Sequence, residues 1–157
     1  MMFLKQMKAQ YPRAFRCERV LECGSYNVNG TPRGLFQVAE YIGLDWRPGP
    51  GVDVVGLVHE WPGRPDEYFD TIVSTEMLEH DPHWRESLKR MSDLLASGGY
   101  MLLTAAGPGR GPHDVEVAPD GRHYRTLTLA DLRAVLPLQI LHASNVGGDL
   151  QYAGRKP

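Results

Sequence analysis

Cysteine is scarce in this chain. Cys17 and Cys23 are the only two in 157 residues, too few for a disulfide framework, so each reads as a reduced, buried thiol. Long apolar runs are missing as well. No stretch of about 20 apolar residues occurs, which excludes a membrane-spanning helix. The opening M-M-F-L-K-Q-M-K lacks the apolar core of a secretory signal. An excess of one charge is also absent: 17 Lys and Arg against 19 Asp and Glu give a formal net charge of −2. Such a balance provides no strong non-specific attraction to nucleic acid and none to an anionic membrane. There is no internal repeat and no low-complexity tract. Together these absences point to a cytoplasmic globular protein.

Glycine and proline are plentiful, at 17 and 12 residues, so loops must occupy much of the chain. With 42% hydrophobic and 23% charged residues the composition is that of an ordinary folded protein, and the length fits one domain, 1–157, with a real core. The stretch most suggestive of a site is R-V-L-E-C-G-S-Y-N-V-N-G, residues 19–30. An apolar run reaches Glu22 and then breaks at Gly24. That is the pattern of a buried strand opening into a ligand-binding turn at its carboxyl end.

Along the chain, residues 3–11 predict a short helix with Phe3, Leu4 and Met7 on one side, stopped by Pro12. Residues 33–40 suggest a further helix. Residues 41–45, 52–58, 69–75 and 100–106 read as strands, separated by the Gly/Pro-rich loops 46–51 and 59–67. Asp81 as N-cap and Pro82 in the first helical position open the clearest helix, with Trp84, Leu88, Met91, Leu94 and Leu95 on one face, ended by Ser97-Gly98-Gly99. Residues 107–125 form a long Gly/Pro/His/Arg-rich loop of the kind that covers sites. Thr128 and Asp131 start a last helix as a capping box, and strands 138–144 and 150–155 close the chain as an antiparallel hairpin. The fold class is therefore α/β: a doubly wound, mainly parallel Rossmann-like sheet with helices on both faces and a C-terminal antiparallel hairpin.

The ordered segments V-L-E-C-G-S, Y-I-G-L-D, F-D-T-I-V-S-T-E-M-L-E-H and L-L-A-S-G-G-Y-M-L-L-T resemble the motifs of class I S-adenosylmethionine-dependent methyltransferases. The resemblance spans roughly residues 19–106 and implies S-adenosylmethionine as cofactor. It places Glu22 near the methionyl ammonium and Gly24 and Ser25 where the backbone approaches the donor. It gives Asp45 to the two ribose hydroxyls, Trp46 to the adenine face, and Val58, His59 and Glu60 to the adenine edge. It sets Thr75 and Glu76 beneath the sulfonium. Two features depart from the family pattern. Tyr26 and Val28 replace expected glycines, so Asn27 or Asn29 would supply polar contacts made elsewhere by backbone amides. Leu57 stands where many relatives carry an acid.

Methyl transfer from a sulfonium needs chiefly that acceptor and methyl be held at near-attack distance, worth about 7–11 kcal/mol of barrier. A base is required only if the acceptor must lose a proton. His80, His83, His113 and His123 are candidates, His80 and His113 foremost, with Asp114 as an orienting carboxylate. Arg110, Arg122 and Arg125 could meet an anionic acceptor or be solvated loop charges. A metal pair from His80 and His83 lacks a clear third ligand. Three functions follow: a methyltransferase acting on a small or medium acceptor, a small molecule or carbohydrate among the candidates; a nicotinamide-binding Rossmann oxidoreductase; or a non-catalytic donor-binding partner subunit. The turn after the first strand lacks G-x-G-x-x-G, which weighs against the second.

Overall fold

The computed structural model describes residues 1–112 and 123–157. Seven strands among them form one sheet: β1 (Arg16–Cys23), β2 (Gln37–Asp45), β3 (Val54–Val55), β4 (Phe69–Thr75), β5 (Leu95–Ala106), β6 (Gln139–Val146) and β7 (Asp149–Arg155). Their spatial order is β3-β2-β1-β4-β5-β7-β6. All neighbours pair in parallel except β5–β7 and β6–β7. The closing hairpin is thus the antiparallel edge expected from the short turn at Gly147-Gly148.

Helices cover both faces. α1 (Met2–Gln10) lays Phe3, Leu4 and Met7 on one face, where they join Phe15, Val20, Phe36, Val73 and Leu102. α2 (Trp84–Leu94) and α3 (Leu129–Val135) cover the other, with Trp84, Leu88, Met91 and Leu94 packed against Leu21, Ile72 and Met101. Trp84 is 2% exposed, and truncating such a residue to alanine costs roughly 3–5 kcal/mol. Thr128 and Asp131 bond reciprocally as the capping box of α3.

Several boundaries differ from the sequence expectation. Residues 33–40 do not form a helix: a 3-10 turn, Arg33–Leu35, leads straight into β2. Phe36 stacks on Phe15 at 4.8 Å and the Gln37 amide donates to the Phe15 carbonyl, so register with β1 begins at Arg16↔Gln37. Tertiary pairing overrides a weak local helix preference. The third strand shrinks from 52–58 to two residues. Asp53 turns its carboxylate back to the Gly43 amide at 2.7 Å and to Arg33, and Val58 enters a 3-10 turn that buries it with Trp61.

α2 starts at Trp84, not at Pro82. Asp81 caps the preceding turn, accepting from the His83 amide at 2.7 Å and the Ser87 hydroxyl at 2.5 Å. The helix also ends sooner, because Leu95 already pairs with Phe69 and the irregular step to Thr71↔Tyr100 absorbs the glycines. Gly98, at φ +76°, makes that step.

Candidate active site

The strand order reverses between β1 and β4, since β2 and β3 lie on one side of β1 and β5 on the other side of β4. In an open α/β sheet this is where a crevice forms at the carboxyl ends of the strands. Glu22, Gly24, Ser25, Asp45, Thr75 and Glu76 all stand there, at the ends of β1, β2 and β4. Two surface clefts lie elsewhere, one of about 440 Å³ between α2 and α3 and one of about 260 Å³ beside Arg13 and Arg155. Neither touches these residues.

Gly24 carries the turn at φ +80°. A Cβ there would stand 2.6 Å from Cβ of Met77, so only glycine lets the β1 and β4 turns close on each other. The amides of Gly24 and Ser25 both donate to the Leu44 carbonyl, at 2.9 and 3.2 Å. Ser25 is buried and its hydroxyl has no hydrogen-bond partner among the described residues; the Ser74 hydroxyl at the end of β4 is in the same condition. Buried hydroxyls of this kind ask for a ligand or water to complete them.

Glu22 is 2% exposed. Burial pushes its carboxyl up to about 7, while the hydrogen bond from the Tyr41 hydroxyl, 2.9 Å from Oε2, and the Arg33 charge pull the other way. Asp45, also buried, accepts from the Tyr26 amide at 3.0 Å through Oδ2 and from the Arg47 amide at 3.3 Å through Oδ1. A carboxylate has about four acceptor positions, so each oxygen keeps room for a hydroxyl donor.

Tyr26, in place of a glycine, lays its ring where a Gly49 side chain would be, and Arg47 covers that ring at 3.7 Å. The Asn27 amide donates to the Pro50 carbonyl and its side chain accepts from the Gly30 amide, both at 2.8 Å. Asn27 therefore anchors the turn, whereas Asn29 is exposed. Trp46 presents an exposed ring beside Asp45. His59 stacks on His83 at 4.3 Å between ring centroids, so His83 faces the segment after β3. Leu57 is exposed.

The second wall is built around Glu76, whose φ of +57° is unusual for a residue with a side chain. Such strain costs roughly 1–3 kcal/mol and persists only where its surroundings hold it. Its amide donates to the Thr104 carbonyl, and its carboxylate pairs with Arg110. Arg110 also reaches Asp149 at 2.7 Å, joining the turn after β4 to the start of β7. Arg110 is therefore engaged with acids of its own chain.

Glu79 is fully buried, and neither carboxyl oxygen has a hydrogen-bond partner among the described residues. Burial, then the charge on Glu76, pushes it up to about 8; the amides of Glu79 and Ala106 oppose this without reaching hydrogen-bond geometry, and Arg110 opposes it too. His80 meets the Tyr124 ring at 5.6 Å. His113, Asp114 and Arg122 lie outside the described residues. Cys23 is buried and its thiol is pushed far up by burial, which fits a packing role.

Sequence reasoning missed Tyr41, Met77 and the pairing of Arg110. Only the last had a signal, a lone arginine facing acids from a loop. The residues present fit S-adenosylmethionine: unpartnered serine hydroxyls and two buried carboxylates stand at the strand ends.

No curated protein matches this chain. Among solved structures, the 1,6-didemethyltoxoflavin-N1-methyltransferase of Burkholderia thailandensis, with 1,6-didemethyltoxoflavin and S-adenosylhomocysteine bound, aligns over 99% of this chain and 76% of its own, at 19% identity and TM-score 0.72. A SAM-dependent methyltransferase from Archaeoglobus fulgidus aligns over 99% and 94%, at 16% identity and TM-score 0.64. The [4+2]-cyclase SpnF aligns over 98% and 80%, at 15% identity and TM-score 0.72. At these identities the likeness is one of fold, which hosts more than one chemistry. The family match is more specific: the methyltransferase domain family covers residues 6–136. The chain belongs to that family and is an S-adenosylmethionine-dependent methyltransferase with a Rossmann-like class I sheet.

Proposed function

We propose that this protein transfers a methyl group to a small or medium acceptor, a small molecule or carbohydrate, in the cytoplasm, as one domain spanning 1–157. The observation that carries the site assignment is the meeting of Gly24, Asp45 and Glu76 at the point where the strand order reverses. When bound, S-adenosylmethionine supplies a methyl group activated by a positively charged sulfur. The chain's own contribution is to hold and orient. Asp45 offers its free acceptor positions to the ribose hydroxyls, Glu22 in its ionised form faces the methionyl ammonium, and Gly24 and Ser25 admit the backbone to close range. Thr75 and Glu76 line the opposite wall, and Trp46 and His59 flank the adenine end, with exposed Asn29 at the rim. His80, ringed by Tyr124, is the described candidate to take an acceptor proton; His113 is the other. No helix among the described residues is long and apolar enough to cross a membrane.

The test is calorimetry with S-adenosylhomocysteine and with NAD. We expect the sulfur nucleoside to bind and NAD not to, and Asp45→Ala to weaken the former by about tenfold or more, the scale of a lost charge-assisted hydrogen-bond pair. Unchanged affinity in Asp45→Ala would remove the ribose assignment. His80→Ala should lower turnover, once an acceptor is known, and leave donor affinity unchanged.

A further inference from the structure

Among the described residues, the buried carboxyl of Glu79 has no part in the mechanism above. Glu79 is wholly shielded from solvent and both its carboxyl oxygens lack hydrogen-bond partners among the described residues, a costly arrangement unless something completes it. Its place is specific. It stands in the turn that the His80 amide closes on the Met77 carbonyl at 2.9 Å, and the Met77 side chain packs on Gly24. The Arg125 amide donates to the Glu79 carbonyl at 2.9 Å, fixing the turn against the segment before α3.

Among the described residues, the titratable groups acting on the Glu79 carboxyl are Glu76 from its own turn, Arg110 from the loop after β5 and Tyr124 from the segment before α3; Asp149 of β7 pairs with Arg110, and His80, next in the chain, meets the Tyr124 ring. Arg110 forms its ion pairs with Glu76 and Asp149 and acts on the Glu79 carboxyl only through space, without bonding to it. Among the described residues Glu79 thus has no cation bonded to its carboxyl, and it lies in the turn whose Met77 packs on Gly24.

We propose that Glu79 is the counter-charge of the donor's sulfonium: its carboxyl holds a proton in the free protein, and gives that proton to solvent when the positive sulfur docks. The proposal rests on the donor reading above. The balance is simple: Glu79 passes from carboxylic acid to carboxylate as one positive charge enters the site, and the released proton leaves to buffer. A cation within about 6 Å favours the charged form of a carboxyl. The free protein already holds this one up to about 8, so it is mostly protonated at pH 7.

S-adenosylmethionine and S-adenosylhomocysteine differ in the sulfur charge, so they make the test. Calorimetric titrations at pH 7 in phosphate and in Tris, whose ionisation enthalpies differ, count protons released on binding. We expect S-adenosylmethionine to release close to one proton more than S-adenosylhomocysteine. Glu79→Gln, which copies the protonated side chain and keeps the fold, should abolish most of that difference. It should also weaken S-adenosylmethionine by about tenfold relative to S-adenosylhomocysteine. Equal proton counts for the two ligands in the native protein, or a difference that survives in Glu79→Gln, would overturn the proposal while leaving the donor site intact. Failure of both ligands to bind would overturn the donor reading and this proposal with it. Activity that requires an added divalent cation and is lost on chelation would also overturn it, by giving Glu79 a metal as its partner.

Discussion

The Tyr41 hydroxyl donates to Oε2 of Glu22 at 2.9 Å across the parallel β1–β2 pair. Glu22 sits at the end of β1 with its carboxyl raised to about 7, and the Tyr41 bond is what restrains that rise. With Glu22 facing the methionyl ammonium as proposed, binding of S-adenosylhomocysteine should therefore tighten as pH rises through about 7. Tyr41→Phe should move that midpoint upward. Calorimetry from pH 6 to 8.5 checks both; an affinity that is flat over this range would detach Glu22 from the donor's charged end.

The closure of Met77 on Gly24 yields a second prediction. Gly24→Ala would place its methyl 2.6 Å from Met77 Cβ in a backbone held at φ +80°. The β1 and β4 turns must then part. We expect a loss of roughly 1–3 kcal/mol in urea unfolding, together with loss of donor binding. Wild-type stability in this variant would show that the two turns separate freely.

Stability itself should depend on pH through Glu22 and Glu79. Both have folded-state values raised above 4.5, to about 7 and about 8. Between 4.5 and those values the folded chain binds more protons than the unfolded one, so stability falls as pH rises. The contribution is fully present below 4.5 and lost once pH has passed through the folded values. Each group removes at most about 1.4 kcal/mol per pH unit inside its window. Urea midpoints at pH 5 and pH 8 should therefore converge in Glu79→Gln relative to the native protein. Parallel curves for the two would place the Glu79 carboxyl in a wetter setting than its burial indicates.

Local pattern sufficed for elements whose stability is local or whose periodicity is strong. The apolar spacing of Phe3, Leu4 and Met7, the Thr128–Asp131 box and the turn at Gly147-Gly148 each specify their element within a few residues. It failed at 33–40 and 52–58, where the deciding contacts come from elsewhere. Phe15 draws Phe36 into register, and Gly43 and Arg33 together hold Asp53. The same division runs through the site. The strand-end positions of Glu22, Gly24 and Asp45 were legible because each sits where an apolar run breaks. Tyr41, Met77 and Arg110 were not, since their partners lie 19, 53 and 34 residues away.

The sequence by itself determined the alternation of strands and crossovers, the glycine break after β1 and the acids that end β1 and β2. These follow from burial and backbone freedom, which act over a few residues. The tertiary structure alone decided what those acids experience. Folding brings Tyr41 to Glu22, the Tyr26 and Arg47 amides to Asp45, and Arg110 to Glu76, and it leaves the Glu79 carboxyl in the interior with no hydrogen-bond partner among the described residues. Charge state depends on desolvation and on neighbours distant in the chain, and both are set only when the strands assemble.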